Sequence, residues 1–473
     1  MPATPSDSHE QHEATPTIAS HDADVTDELR EFMRTGWVDL PPSSLQPLPV
    51  APYAAKRRQQ LSAAFPGETL VVAAGALVTR SNDTHYPYRP SSDATWLTGW
   101  TPEPEAVVAL IPASGGGHDA VLFLRTRRDR TSDAFWRDRT YGELWTGAVP
   151  THDEIAAWTG VETRPLDDLD TAVKGSARRL AAAASDADAD ADLQRVLSEL
   201  RLVKDDWEVE QLDAAVAATA KGFDDVVSEF PNAKSERWLE GTFHRRARTD
   251  GYDVGYGSIV GCGAHATCLH WTTNDGPVKP GELALMDMGV EVPSLYTADV
   301  TRVVPITGSF DKTQADVYEA VLDAQQAGIA AVKPGAAFTD PHDAAMRVLA
   351  ERLVKWGILQ GSVDELMATQ LYRRYTLHGT SHMLGLDVHD CAAARHERYR
   401  GGPLEAGMVL TVEPGLYFQF DDATAPIELR GIGVRIEDDV LVTTTGARVL
   451  SESIPKERDA VEAWASASRR RRP

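Results

Sequence analysis

A chain of 473 residues with 42% hydrophobic and 25% charged side chains has an ordinary globular composition and is long enough for two domains, which excludes a fibrous or wholly disordered protein. A formal charge of -24 repels phosphate backbones and anionic lipid, so neither nucleic acid nor a membrane surface is expected as a partner. Cys262, Cys268 and Cys391 are too few for a disulfide framework, and neither a secretory pattern nor an apolar run of about 20 residues is present, so a cytoplasmic protein is expected.

Residues 1–27 are polar and acidic and are expected to form a flexible extension in which His9, His12 and His21 are solvated. Between 53 and 180, apolar runs such as 69–74 and 106–110 alternate with Gly, Pro and Ser clusters and predict the strands of an α/β domain placed at 45–195. The alanine and aspartate stretch 181–192 has the low complexity of a linker, so the boundary is placed near residue 195.

The region 196–460 reads as an α+β domain with helices at 207–227, 312–332 and 341–356. Strands are predicted at 283–288, 298–304, 408–413 and 433–442, forming a largely antiparallel sheet. Residues 461–473, ending in Arg469, Arg470, Arg471 and Arg472, read as a solvated tail.

Four of these predicted strands carry an acid among apolar neighbours: Asp287, Asp299, Glu413 and Glu437. Each could be a structural ion-pair or turn residue by itself. A cluster of buried carboxylates without partners would cost several kcal/mol or so each, and divalent cations would offset that cost. The segment from His378 to Asp390 adds His378, His382 and His389, and His382 is the candidate imidazole ligand. Oxygen donors with one imidazole make a fairly hard set that suits Mn(II), with Co(II), Zn(II) or Fe(II) as alternative occupants. Arg435 lies two residues before Glu437 on a predicted strand, on the same face, where it could orient the ligands.

These residues resemble the metallopeptidases of the pita-bread fold, and among them the Xaa-Pro aminopeptidases. The motifs are Asp287-Met288-Gly289, Asp299-Val300-Thr301-Arg302, the segment from His378 to Asp390, Thr411-Val412-Glu413-Pro414-Gly415-Leu416-Tyr417, and the run from Gly431 to Asp439. The resemblance extends from about residue 53 to 460 and includes Thr79-Arg80-Ser81, Tyr86-Pro87-Tyr88-Arg89, Ser92-Asp93 and Leu97-Thr98-Gly99-Trp100. It implies a pita-bread catalytic domain behind a smaller α/β domain. Two metals would be bound by Asp287, Asp299, His382, Glu413 and Glu437, with Asp299 and Glu437 bridging.

The resemblance further implies that His270 and His389 face the substrate, with His378, Tyr256, Tyr417 and Arg435 in supporting positions. Glu413 would shuttle the proton from the attacking water to the leaving proline nitrogen. The expected substrates are peptides with proline at the second position, including peptides longer than dipeptides, and the expected assembly is a homodimer or homotetramer. Two features depart from the pattern: the interval from Asp287 to Asp299 is one residue longer, and Trp96 stands one place later.

Three alternatives compete. A prolidase would share the metals but accept only Xaa-Pro dipeptides, whereas a metal-independent creatinase-like hydrolase or a binding relative would have lost ligands. A zinc site from Cys262, Cys268 and His270 has an uncommon spacing, and both cysteines are read as packing residues.

Overall fold

The computed structural model describes residues 24–38, 43, 45–127, 129–180 and 190–470. The histidines expected to be solvated in the N-terminal extension, most of the low-complexity linker, and Arg471 and Arg472 lie outside the described residues.

The N-terminal half is built on a five-stranded sheet in the order Glu162–Pro165, His118–Leu124, Val107–Pro112, Thr69–Ala73 and Ala177–Leu180. The central pairings are antiparallel, with Leu70 opposite Leu110 and Val108 opposite Leu122, and both outer pairings are parallel. Val71, Val72, Val107 and Val108 are buried there, as expected of branched side chains on a pleated surface. Helix Ser92–Thr98 starts at Ser91, whose hydroxyl accepts the Ala94 N–H, and stops at Gly99, whose φ of 68° suits a residue without Cβ. Trp96 on this helix is 2% exposed, and its Nε1 donates to Glu208 at 3.2 Å.

Helices Ala191–Arg201 and Asp206–Glu229 join the two halves. Leu193 and Leu197 of the first pack into the core that also contains Leu70 and Leu97, so this helix is seated on the N-terminal sheet. The second begins with a reciprocal capping box between Asp205 and Glu208.

The C-terminal half is α+β, and all of its named strand pairings are antiparallel. Strand Leu283–Met288 lies between Ile259–Cys262 and Val300–Pro305; Val409–Val412 pairs with Asp438–Val442, and Gly415–Tyr417 with Gly433–Arg435. Helices Lys312–Ala331 and Asp340–Lys355 cover these strands with Val317, Val321, Met346 and Leu349, which belong to the main core.

Two departures from the sequence reading have plain causes. The predicted strand 433–442 is broken at Ile436 and Glu437, because their N–H groups leave the ladder for Pro414 O and Thr301 O. The expected tail 461–473 instead contributes to helix Arg458–Arg470, which places Val461 and Ala465 in the main core. An apolar stripe at i and i+4 is enough to seat this otherwise polar helix. Among the described residues no helix is long and apolar enough to cross a membrane.

Candidate active site

Asp287 is held in the middle of the antiparallel strands, opposite Thr301 on one side and Ile259 on the other. Asp299 immediately precedes Val300–Pro305, so the two acids come from facing arms of one hairpin. The glycine after Met288 permits the close approach of the two arms: a Cβ on Gly289 would sit 1.8 Å from Ala298 O. Glu413 follows strand Val409–Val412, and its N–H donates to Thr380 O at 2.9 Å. The His382 segment runs beside this strand, with Thr411 N–H donating to His382 O at 2.9 Å and Leu384 N–H to Val409 O at 3.0 Å. Glu437 occupies the break between two strands and accepts the Thr301 hydroxyl at 2.6 Å.

These elements bring Asp287, Asp299, His382, Glu413 and Glu437 onto the wall of one cavity of about 1020 Å³, together with His270, His378, His389, Tyr256 and Arg435. Donor atoms of Asp299, His382 and Glu437 lie within 4.8 Å of one another. His382 Nε2 is 3.3 Å from Asp299 and 3.7 Å from Glu413, and its Nδ1 is 3.1 Å from Met383 O. A proton on Nδ1 satisfies that carbonyl and leaves the Nε2 lone pair facing the acids, the tautomer a metal ligand needs.

The electrostatics also call for cations. Burial pushes the Asp287 carboxyl up to about 6, with Arg435 opposing and Asp299 adding to the shift. Burial, followed by repulsion from Asp299, Glu413 and Asp287, lifts Glu437 well above the carboxylate range. Burial disfavours charge on His382, but the hydrogen bond and charge of Asp299, with the charge of Glu413, raise the imidazole to about 9. The oxygen-rich set and the repulsion within it fit divalent metal ions, which would relieve both.

Around the acids runs a chain of hydrogen bonds. Arg435 donates to Asp287 Oδ2 at 2.5 Å, to Thr301 Oγ1 at 3.0 Å and to the Tyr417 hydroxyl at 3.0 Å. With Arg435 donating to it, Tyr417 can give its own proton to His378 Nε2 at 2.8 Å. His378 Nδ1 then carries a hydrogen toward Gly379 O at 2.9 Å and Glu413 at 3.4 Å. Tyr256 donates to Asp287 Oδ1 at 2.6 Å from the opposite side. Tyr417 is not on the cavity wall and reaches it through His378 and Arg435.

His270 and His389 face the open part of the cavity. Burial and repulsion from His382 lower the His389 imidazole below its ordinary value. His270 is carried by a loop whose hub is Glu236, 0% exposed, a residue the sequence did not single out. Its carboxylate accepts from Cys262 N–H at 2.7 Å, Gly276 N–H at 2.7 Å, Trp271 Nε1 at 2.8 Å and His265 Nδ1 at 2.9 Å. Thr301 was likewise given no role, although its hydroxyl joins Arg435 to Glu437. The sequence holds no signal for Glu236, because an acid in the first turn of a helix is ordinarily a solvated partner of the helix dipole. Cys262 is buried as expected, whereas Cys268 is exposed and so is not a packing residue, because it caps a short turn at the loop surface.

The chain is similar to known proteins over nearly its whole length. Residues 54–182 match the family described as aminopeptidase P, N-terminal domain, and residues 210–444 match metallopeptidase family M24. Xaa-Pro aminopeptidase 2 of Streptomyces coelicolor is 52% identical over 457 residues, covering 92% of this chain and 96% of that protein. Xaa-Pro aminopeptidase of Escherichia coli is 35% identical over 441 residues, covering 88% and 98%. Among solved structures, aminopeptidase PepP of Pseudomonas aeruginosa superposes with a TM-score of 0.79 at 33% identity, covering 90% of this chain and 99% of that one. Zinc-substituted Escherichia coli aminopeptidase P in complex with product gives a TM-score of 0.78 at 32% identity, covering 91% and 100%.

Proposed function

Given that the chain belongs to metallopeptidase family M24 and is an Xaa-Pro aminopeptidase, we propose how its residues share the release of an N-terminal residue that precedes proline. The observation that carries the assignment of roles is the convergence of five metal-type donors with Glu413 at the end of the hydrogen-bond chain from Arg435 through Tyr417 and His378.

Asp287, Asp299, His382, Glu413 and Glu437 would hold two divalent ions, with Mn(II) best matched to the donor set and Co(II), Zn(II) or Fe(II) as alternatives. Bound there, the ions supply a Lewis acid for the scissile carbonyl and bring the pKa of the attacking water toward neutrality. Glu413 takes a proton from that water on a carboxylate oxygen and returns it to the departing nitrogen. The return matters because a proline nitrogen has no N–H of its own and must gain a proton as the amide bond breaks. Arg435 and Tyr256 clamp the two oxygens of Asp287, while His378 keeps Glu413 oriented. His270 and His389, on the open side, hydrogen-bond the substrate and the oxyanion that forms as water adds.

A cavity of about 1020 Å³ is at the upper end of small-molecule sites and supports substrates that continue beyond proline. The division of the chain near residue 195 into a smaller N-terminal domain and a catalytic domain, a cytoplasmic location, and assembly as a homodimer or homotetramer complete the proposal.

The test is to strip the protein with chelator, restore Mn(II), and follow release of the first residue from Arg-Pro-Pro, Arg-Pro and Arg-Ala-Ala. Metal-dependent cleavage of Arg-Pro-Pro with little of Arg-Ala-Ala is expected. Cleavage of Arg-Pro and not the tripeptide would make the chain a dipeptidase, and full activity without metal would overturn the metal assignment.

A further inference from the structure

We propose that the N-terminal domain is a positioning element of the active site: Arg89 and Ser92 of that domain, with Arg201 of the joining helix, fix the loop that presents His389. The inference rests on the reading of His389 as a substrate-facing residue.

Within 385–389 this loop has neither helix nor strand to stiffen it. Its backbone returns to a neighbouring strand at Leu384, through Val409, and Asp390 folds back on Met383 O. Between them Gly385 O accepts the Thr297 N–H at 3.1 Å and Gly385 N–H donates to Asp387 O at 3.2 Å, and the remaining ties of 386–387 come from side chains outside the loop. Arg89 Nη2 donates to Leu386 O at 2.6 Å, and the Ser92 hydroxyl donates to Asp387 Oδ1 at 2.5 Å. Arg201 donates to Asp387 Oδ2 at 2.8 Å and also to Asp390, and its other nitrogen reaches Asp93 on the N-terminal helix at 2.8 Å. His389 thus lies in sequence between Asp387, tied to Ser92 and Arg201, and Asp390, tied to Arg201 and to Lys204 at 3.0 Å, and Arg201 carries both back to Asp93 of the N-terminal domain.

These ties are of the kind that fix geometry. Arg201 is 4% and Asp390 1% exposed, so the pair is desolvated and charge-assisted. Arg89 also donates to Glu291 at 2.7 Å, in the hairpin between Asp287 and Asp299, so one guanidinium grips both the metal-ligand hairpin and the His389 loop. A loop lacking ladder bonds would otherwise sample other positions, and displacement of a hydrogen-bonding group by about 1 Å can cost on the order of 10²-fold in rate.

A double-mutant cycle on the Mn(II)-loaded enzyme, with Arg-Pro-Pro as substrate, tests this. Arg89→Met should lower kcat about tenfold or more with metal content unchanged. In a His389→Ala background the same substitution should change kcat by less than about twofold, since the group it positions is gone. Because Arg89→Met leaves Glu291 buried without its partner, the cycle is repeated with Glu291→Gln in every member, which keeps the hairpin neutral and folded. A loss of equal size with and without His389, or wild-type kcat in folded Arg89→Met, overturns the proposal. Wild-type kcat in the single variant His389→Ala instead overturns the reading on which it rests, and the two failures are told apart because both single variants are measured.

Discussion

Glu413 shows how an environment assigns a role to a residue. Burial pushes its carboxyl up, but the hydrogen bond from His378, followed by the positive charge around it that includes Arg435, holds it down at about 2. It is therefore ionised at neutral pH and able to accept a proton, which is what the proposed shuttle needs. Glu413→Gln should lower kcat by roughly 10²–10⁴ through the chemical step. The check is kcat measured together with metal content, and a variant that binds metal normally and keeps wild-type kcat defeats the assignment. The acids at this site were recognisable in the sequence because a carboxylate in an apolar run is out of place. Thr301 was not, since a threonine in a strand is ordinary.

At the scale of elements, chemistry is concentrated where regular structure stops. Asp299, Glu413 and Glu437 each stand at a strand end or break, whereas the apolar runs predict them within strands. A proline after Glu413 cannot donate to a ladder, so the strand ends and the backbone turns its acid into the cavity. The His270 loop is tied to strand Ile259–Cys262 by Asn274, whose amide oxygen accepts Val260 N–H and whose amide nitrogen donates to Ser258 O, both at 2.9 Å, and it is otherwise organised on the buried carboxylate of Glu236. Glu236→Gln sets an amide N–H₂ against donors that now share two oxygens, leaving buried N–H groups without acceptors. Unfolding in urea should show a loss of about 2 kcal/mol or more, and KM for Arg-Pro-Pro should rise as the His270 loop loosens. Unchanged stability and unchanged KM would show that the hub holds nothing the substrate feels.

At the scale of the molecule, the two halves meet through buried charge. Glu291 lies at 3% exposure under Arg89, and burial, opposed by that guanidinium, lifts its carboxyl from the ordinary 4.5 to about 7. A carboxyl raised in the folded state lends its full stability below the unfolded value and loses it as pH rises through the folded one. Relative to wild type, Glu291→Gln should gain stability between pH 5 and pH 8, by about 1–3 kcal/mol, read from urea midpoints at both pH values. An offset that is the same at both would contradict the shift. The sequence by itself determined the class of fold and the kind of site: acids in apolar runs, a histidine-rich segment and apolar runs bounded by turn residues are local signals, set by what a side chain costs when buried. Only the tertiary structure decided which distant residues support the site, because Glu236, Thr301, Arg89 and Arg201 look locally like surface or strand residues. Their roles arise from partners brought within bonding distance by packing, as when Arg89 meets Leu386 across 297 positions of sequence.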